Sequence, residues 1–184
     1  VKWPNDTFKQ SVDYAKEHGT GTMVWFEPER ISMLSDLCKN FGYNRKWAIR
    51  HTNDESTIMN NLGNPDALAW TTSRILTFMK THGVSMYRED FNCDPYYFWD
   101  AGDAYEGANR RGITENLYVQ GHYKMWDDII DCTLSYGGCG FVDSCAAGGG
   151  RNDLESMRRG VPLLRSDSDR TSTALRLSMT TSFT

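Results

Sequence analysis

No block of like charge runs through these 184 residues: 20 Lys and Arg stand against 24 Asp and Glu, with no Lys/Arg cluster. The electrostatic footprint that nucleic acid or an anionic membrane surface demands is missing, so neither is expected as a partner. No apolar stretch is long enough to cross a bilayer, and the opening Val1-Lys2-Trp3-Pro4-Asn5-Asp6 does not read as a signal peptide. The five cysteines, Cys38, Cys93, Cys132, Cys139 and Cys145, are odd in number and lack CxxC or metal-type His spacing. This argues against a disulfide framework and a zinc site and leaves mostly buried, reduced thiols, one of which could line a pocket. No metal or organic cofactor is expected. There is no initiator Met, and the last residues stop inside a helical pattern. A piece of a longer protein, truncated at both ends, is the expectation, with the compartment left open between cytoplasm, periplasm and secretion.

What is present is ordinary globular material, 39% hydrophobic and 24% charged with net charge −4, enough to bury a core. The spacing predicts a helix from a cap at Asp6 to about His18, then a short buried strand Thr22–Phe26 that ends in Glu27-Pro28-Glu29. Helical patterning returns from Ile31 to Asn40, and the polar stretch from there to Gly63 reads as irregular loop. Asn64-Pro65 opens a helix with Leu68, Ile75, Leu76 and Met79 inward and Gly83 as its stop. The strand that follows ends at Asp90, and a long loop is expected from Cys93 to Gly112. A third helix runs from Thr114 to Leu134, a strand from Cys139 to Asp143, a helix from Asp153 to Arg159 and a strand from Val161 to Ser166, with a last helix opening after Asp169. Strand and helix alternate, with the acidic and Gly-rich residues always on the strand-to-helix side. That asymmetry indicates an α/β protein with a parallel sheet and its chemistry on one end. A complete open doubly wound sheet and half of an eightfold barrel both satisfy it; the ends favour the half barrel.

Two acids stand out at strand ends. Asp90 follows Val84-Ser85-Met86-Tyr87-Arg88-Glu89, and Asp167 follows Val161-Pro162-Leu163-Leu164-Arg165-Ser166. A barrel opens its active site at that end of its strands. A carboxylate fixed there can attack an anomeric carbon, and a second with a raised pKa can protonate the leaving oxygen, which is the pairing a glycosidase uses. Each also has a plainer reading: Asp90 could cap the next loop, and of Asp167 and Asp169 one is expected to be only a helix cap. Arg88 alternates with Asp90 and should share its face. The turn Cys145-Ala146-Ala147-Gly148-Gly149-Gly150-Arg151 lets backbone approach a ligand closely, or is simply a tight rim turn; it lacks the ending of a phosphate-binding loop. Trp25 beside Glu27 and Glu29 could form an aromatic platform for a sugar, though a core Trp with surface glutamates explains them nearly as well. None of His18, His51, His82 and His122 is assigned to catalysis.

Val24-Trp25-Phe26-Glu27-Pro28-Glu29, Tyr87-Arg88-Glu89-Asp90-Phe91-Asn92, Cys145 to Arg151 and Ser166-Asp167-Ser168-Asp169, in this order, resemble the catalytic barrel of the α-galactosidases of glycoside hydrolase family 36, in the melibiase clan. The likeness covers nearly the whole chain, as the third to sixth units of that barrel. It implies that residues 1–184 are part of a single catalytic (β/α)8 domain that hydrolyses terminal α-galactosides with retention, with Asp90 as nucleophile and Asp167 as acid/base. It implies further that Arg88 and Asn92 bind sugar, that Cys145, Gly148, Gly149 and Arg151 belong to a loop contacting it, and that Trp25 lies in an aromatic wall. Arg88 stands where the family usually has Lys, Glu89 where it has Trp, and Leu164 where it has another Trp, so the sugar preference is open. A galactosyl-transferring raffinose- or stachyose-synthase relative and a non-catalytic carbohydrate-binding remnant are the alternatives. The expected partner is an α-galactoside or related oligosaccharide, and a homo-oligomer of the full-length protein remains open.

Overall fold

Parallel neighbours need a crossover connection, usually a helix, because a tight hairpin brings the chain back in the opposite direction. The computed structural model describes residues 6–52, 56–107, 109–145, 151 and 153–162. The elements run α1 (Thr7–Glu17), β1 (Met23–Phe26), β2 (Arg30–Ile31), α2 (Leu37–Asn40), β3 (Ala48–Ile49), β4 (Ile58–Asn60), α3 (Pro65–His82), β5 (Met86–Glu89), α4 (Tyr96–Glu106), α5 (Ile113–Leu134), β6 (Val142–Ser144), α6 (Leu154–Arg159) and β7 (Gly160–Val161). Strands β1, β5, β6 and β7 form one four-stranded sheet in that order, every pair parallel. This is the α/β architecture that the alternation implied.

Contacts divide the chain into two compact units. The first holds the chain up to Phe26, Met79–Asn92 and the chain from Ile130 on, and so contains the whole parallel sheet. Register decides its two faces, since side chains alternate along each strand. Trp25, Arg88 and Asp143 stand in one row across β1, β5 and β6, while Phe26, Glu89 and Ser144 stand in the next. Tyr87 and Glu89 are buried, whereas Trp25 keeps 51% of its surface and Met23 45%. The row containing Arg88 therefore belongs to the more open face. Gly83 sits at φ 69° just past α3, a left-handed conformation glycine adopts without a Cβ clash. Val84 N then donates to Met79 O at 3.0 Å, and the chain leaves straight into β5. Helix α1 forms where expected, but not by the expected cap: Asp6 has φ 58° and its side chain makes no capping bond. Asn64 does cap, its Oδ1 accepting from the N–H groups of Asp66 and Ala67 at 2.9 and 3.1 Å, with Pro65 as the first helical residue.

The second unit, Glu27–Phe78 and Cys93–Ile129, holds two departures from the expected pattern. The presumed irregular stretch before Gly63 contributes β3 and β4 to a three-stranded antiparallel sheet, ordered β2-β4-β3, and the helical patterning from Ile31 yields only α2. Its strands are two or three residues long, too short for an alternating pattern to register. The presumed loop from Cys93 to Gly112 contains α4, opened by Asp94, whose Oδ1 accepts from Tyr96 N at 3.0 Å. Its Tyr, Asp and Gly content reads as turn; burial of Phe98 and Asp103 overrides that propensity. Ile31, Met33, Tyr43 and Ile58 form a buried cluster here, with Trp47 and Trp70 packed on it. A Cβ on Gly121 would lie 2.0 Å from Leu62 O, so α5 meets that loop at backbone distance. Among the described residues no helix is long and apolar enough to cross a membrane.

Candidate functional site

Asp90 is the first residue beyond β5, and its N–H still donates to Phe26 O of β1 at 3.1 Å, so its backbone is held by the sheet. Its carboxylate is gripped on two sides: Oδ1 accepts from Phe91 N at 2.8 Å and Oδ2 from Asn92 Nδ2 at 3.0 Å. A half-buried acid so oriented, at the C-terminal end of a parallel strand, presents a lone pair in a fixed direction without a rotamer search. Asn92, expected to touch sugar, spends one amide hydrogen on the acid itself.

Arg88 lies two residues earlier on the same strand face. Its Nη1 is ion-paired and hydrogen-bonded to Asp143 Oδ2 of the neighbouring strand β6. Burial alone would lower the guanidinium pKa, but the bond to Asp143 and its charge outweigh this, with Cys145 and Asp90 adding, and hold it above its ordinary value. The charge of Arg88 is thus permanent in this setting. Trp25 is its register partner on β1. Cys145 follows β6, is buried, and donates its N–H to Glu89 O at 2.8 Å, extending the parallel ladder past the strand.

Arg151 takes a different place from Arg88. Its guanidinium lies 3.8 Å from Glu89 Oε1 and 5.2 Å from the Phe91 ring centroid. Glu89 and Phe91 have the opposite alternation from Arg88 and Asp90, and Glu89 also accepts from Tyr87 OH at 2.5 Å. Trp25, Arg88, Asp90, Asn92 and Cys145 thus gather at one end of the sheet, with Arg151 bound to the residues between them. Asp167, Asp169, Gly148 and Gly149 lie outside the described residues.

Sequence reasoning passed over three buried groups. Asp143 read only as the end of a strand, and nothing local signals that Arg88 would be its register partner. Glu29 read either as an acid beside the Trp25 platform or as a salt-bridged surface glutamate, yet it is fully buried. Tyr118 OH donates to its Oε2 at 2.5 Å, and His122 Nε2 lies 3.7 Å from Oε1. Tyr118 and His122 are four apart on α5 and so share a face, which was the available signal. Glu27 is the one that pairs near the surface, with Arg30 at 2.5 Å. Asp103 of α4 accepts from the N–H groups of Gly112 and Thr114, the latter at 2.9 Å. Burial would raise its pKa, but these backbone bonds, the Thr114 hydroxyl and Arg111 together hold it below the usual carboxylate value. The five cysteines carry no disulfide: Cys145 is buried and the other four half-buried. Cys139 borders a cavity of about 310 Å³ at the opposite end of the parallel sheet, together with Lys16, Gly21, Ser85 and Tyr136.

Solved structures share this fold. An α-galactosidase from Lactobacillus brevis superposes with TM-score 0.74 at 20% identity, over 94% of this chain and 22% of that one. A variant of the glycoside hydrolase family 36 α-galactosidase AgaA from Geobacillus stearothermophilus, in complex with stachyose, superposes with TM-score 0.70 at 19% identity, over 92% of this chain and 23% of that one. Ega3 from Aspergillus fumigatus, in complex with galactosamine, follows at TM-score 0.51 and 10% identity, over 83% of this chain and 53% of that one. The chain therefore spans less than a quarter of the length of the first two. No curated protein sequence matches it. The family model for melibiase matches residues 1–184, the entire chain, and the chain belongs to the melibiase family.

Proposed function

We propose that residues 1–184 form part of a single catalytic (β/α)8 domain of a retaining glycoside hydrolase that cleaves terminal α-galactosides of the raffinose and melibiose type. The observation that carries this reading is the Asp90 carboxylate, oriented by Phe91 N and Asn92 Nδ2 at the C-terminal end of β5. Asp90 attacks the anomeric carbon as the bond to the aglycone oxygen breaks, and Asp167 gives that oxygen its proton, leaving a β-linked glycosyl ester. Asp167, now a carboxylate, then takes a proton from water, which displaces Asp90 and restores the α-configuration. Asp169 is the competitor for the second role. Retention calls for the two carboxyl groups to stand about 5–5.5 Å apart. The stachyose complex of the Geobacillus neighbour supports an oligosaccharide as the substrate class.

The reading is tested in the full-length protein. Asp90→Ala should lower hydrolysis of an aryl α-galactoside by about 10³-fold or more, and added azide should restore turnover with β-galactosyl azide as product. Unchanged hydrolysis would remove Asp90 from the role.

A further inference from the structure

Among the described residues, Arg88 is gripped at one corner only. Its Nη1 is bonded to Asp143, while its Nε–H and Nη2–H, which point side by side from one edge of the planar group, have no hydrogen-bond partner among the described residues. Its side chain keeps 16% of its surface, whereas that of Asp143 keeps none. Asp143 itself cannot shift: it is the register partner of Arg88 on one side and of Val161 on the other, so strands β5 and β7 fix it from both flanks.

We propose that Asp143 is a positioning residue of the sugar site, holding the plane of Arg88 so that the Nε–H and Nη2–H edge forms a two-donor fork beside Asp90 that recognises two adjacent hydroxyl oxygens of a neutral sugar. This deepens the glycosidase reading and rests on it. A lone arginine would lose rotamer freedom on each binding event, whereas one anchored to a buried carboxylate loses it once, on folding. The charge balance selects the ligand. Asp143 already neutralises Arg88, and Asp90 adds a negative charge two residues on, so an anionic sugar gains nothing here. A pair of vicinal hydroxyls supplies two acceptors that a parallel pair of N–H donors can meet, and a lysine in place of Arg88 would offer no such edge.

The test uses the full-length protein with Asp143→Asn, Arg88→Lys and the double variant. Kinetics on an aryl α-galactoside are read together with calorimetric binding of galactose and its singly deoxygenated analogues. Each single variant should raise KM about tenfold with kcat within about threefold, and the double variant should be no worse than the worse single, because both remove one fork. Deoxygenation at either of two adjacent ring positions should cost the parent about tenfold in affinity and cost Asp143→Asn almost nothing. Additive effects, an unchanged KM in Asp143→Asn, or an Asp143→Asn that melts early yet keeps the deoxygenation penalties would each overturn the assignment. Arg88→Lys, which keeps the charge opposite Asp143, retains a readout if Asp143→Asn fails to fold: deoxygenation penalties as large as the parent's would overturn the fork. Binding is read without turnover, so a parent that hydrolyses no galactoside but shows the paired penalties refutes the glycosidase reading and spares the fork. Hydrolysis without those penalties does the reverse.

Discussion

Arg88 and Asn60 are both polar residues in an interior strand of a small sheet, and the two sheets use them in opposite ways. In the antiparallel sheet, Asn60 is buried and saturated: Oδ1 accepts from Tyr43 OH at 3.0 Å, and Nδ2 donates to Pro28 O at 3.1 Å and Thr71 Oγ1 at 2.8 Å. Even its backbone N–H donates, to Glu29 O at 2.9 Å. In the parallel sheet, Arg88 is half-buried on the open face with one corner bonded and one edge in reserve. Saturated groups in low dielectric stabilise a fold, whereas partly satisfied ones are costly unless something else completes them. On the proposed reading, the parallel sheet carries the chemistry and the antiparallel sheet does not.

The largest expected effect separates the sheets most sharply. Asp90→Ala should remove about three orders of magnitude of turnover while moving unfolding free energy by only about 1–2 kcal/mol, because the exposed Asn92 amide can turn to water and only the part-buried Phe91 N–H loses its acceptor. Asn60→Ala should do the converse. It strands Tyr43 OH, Thr71 Oγ1 and Pro28 O and should cost about 2–4 kcal/mol in urea unfolding with KM unchanged. A change in KM comparable to that of Arg88→Lys would erase the distinction. Asp103→Asn should cost about 1–3 kcal/mol at neutral pH, since two backbone donors lose a charged acceptor. Its sign with pH follows from the depressed folded pKa. The stabilisation is fully present above the unfolded carboxylate value of about 3.9 and is lost as pH falls through the folded value, so the variant's penalty should vanish in acid. A penalty that persists at the lowest pH would point to packing instead. The smallest effect belongs to Lys9→Ala, whose exposed pairing with Asp13 at 2.7 Å should be worth less than about 0.5 kcal/mol in the same assay.

Much of the parallel sheet was legible because its signals are local. Apolar runs ending in acids marked β1 and β5, Asn64-Pro65 and Gly83 bounded α3, and the placement of Asp90 followed from a strand end alone. The antiparallel sheet was not legible, since the pairing of Ile58 and Met59 with Ile31 and Arg30 joins residues far apart in sequence through strands shorter than one period. Helix α4 was hidden by turn-like composition and is stabilised by non-local burial. In the site, the residue types were readable but their partners were not: Asn92 belongs to Asp90, Arg88 to Asp143 and Arg151 to Glu89 and Phe91. Each partnership depends on which way a side chain points, which only register determines.

That dependence gives the site a parity. Arg88 and Asp90 are even-numbered on β5, and the buried Tyr87 and Glu89 are odd. Deleting or inserting one residue between Gly83 and Met86, with α3 held in place so that β5 slips by one residue against β1, would swap the two sets at a stroke. Two charges would turn toward the covered side and a tyrosine and a glutamate toward the open one. Length changes in that short connection should therefore be tolerated in twos or not at all, while longer insertions at surface turns elsewhere leave the alternation undisturbed.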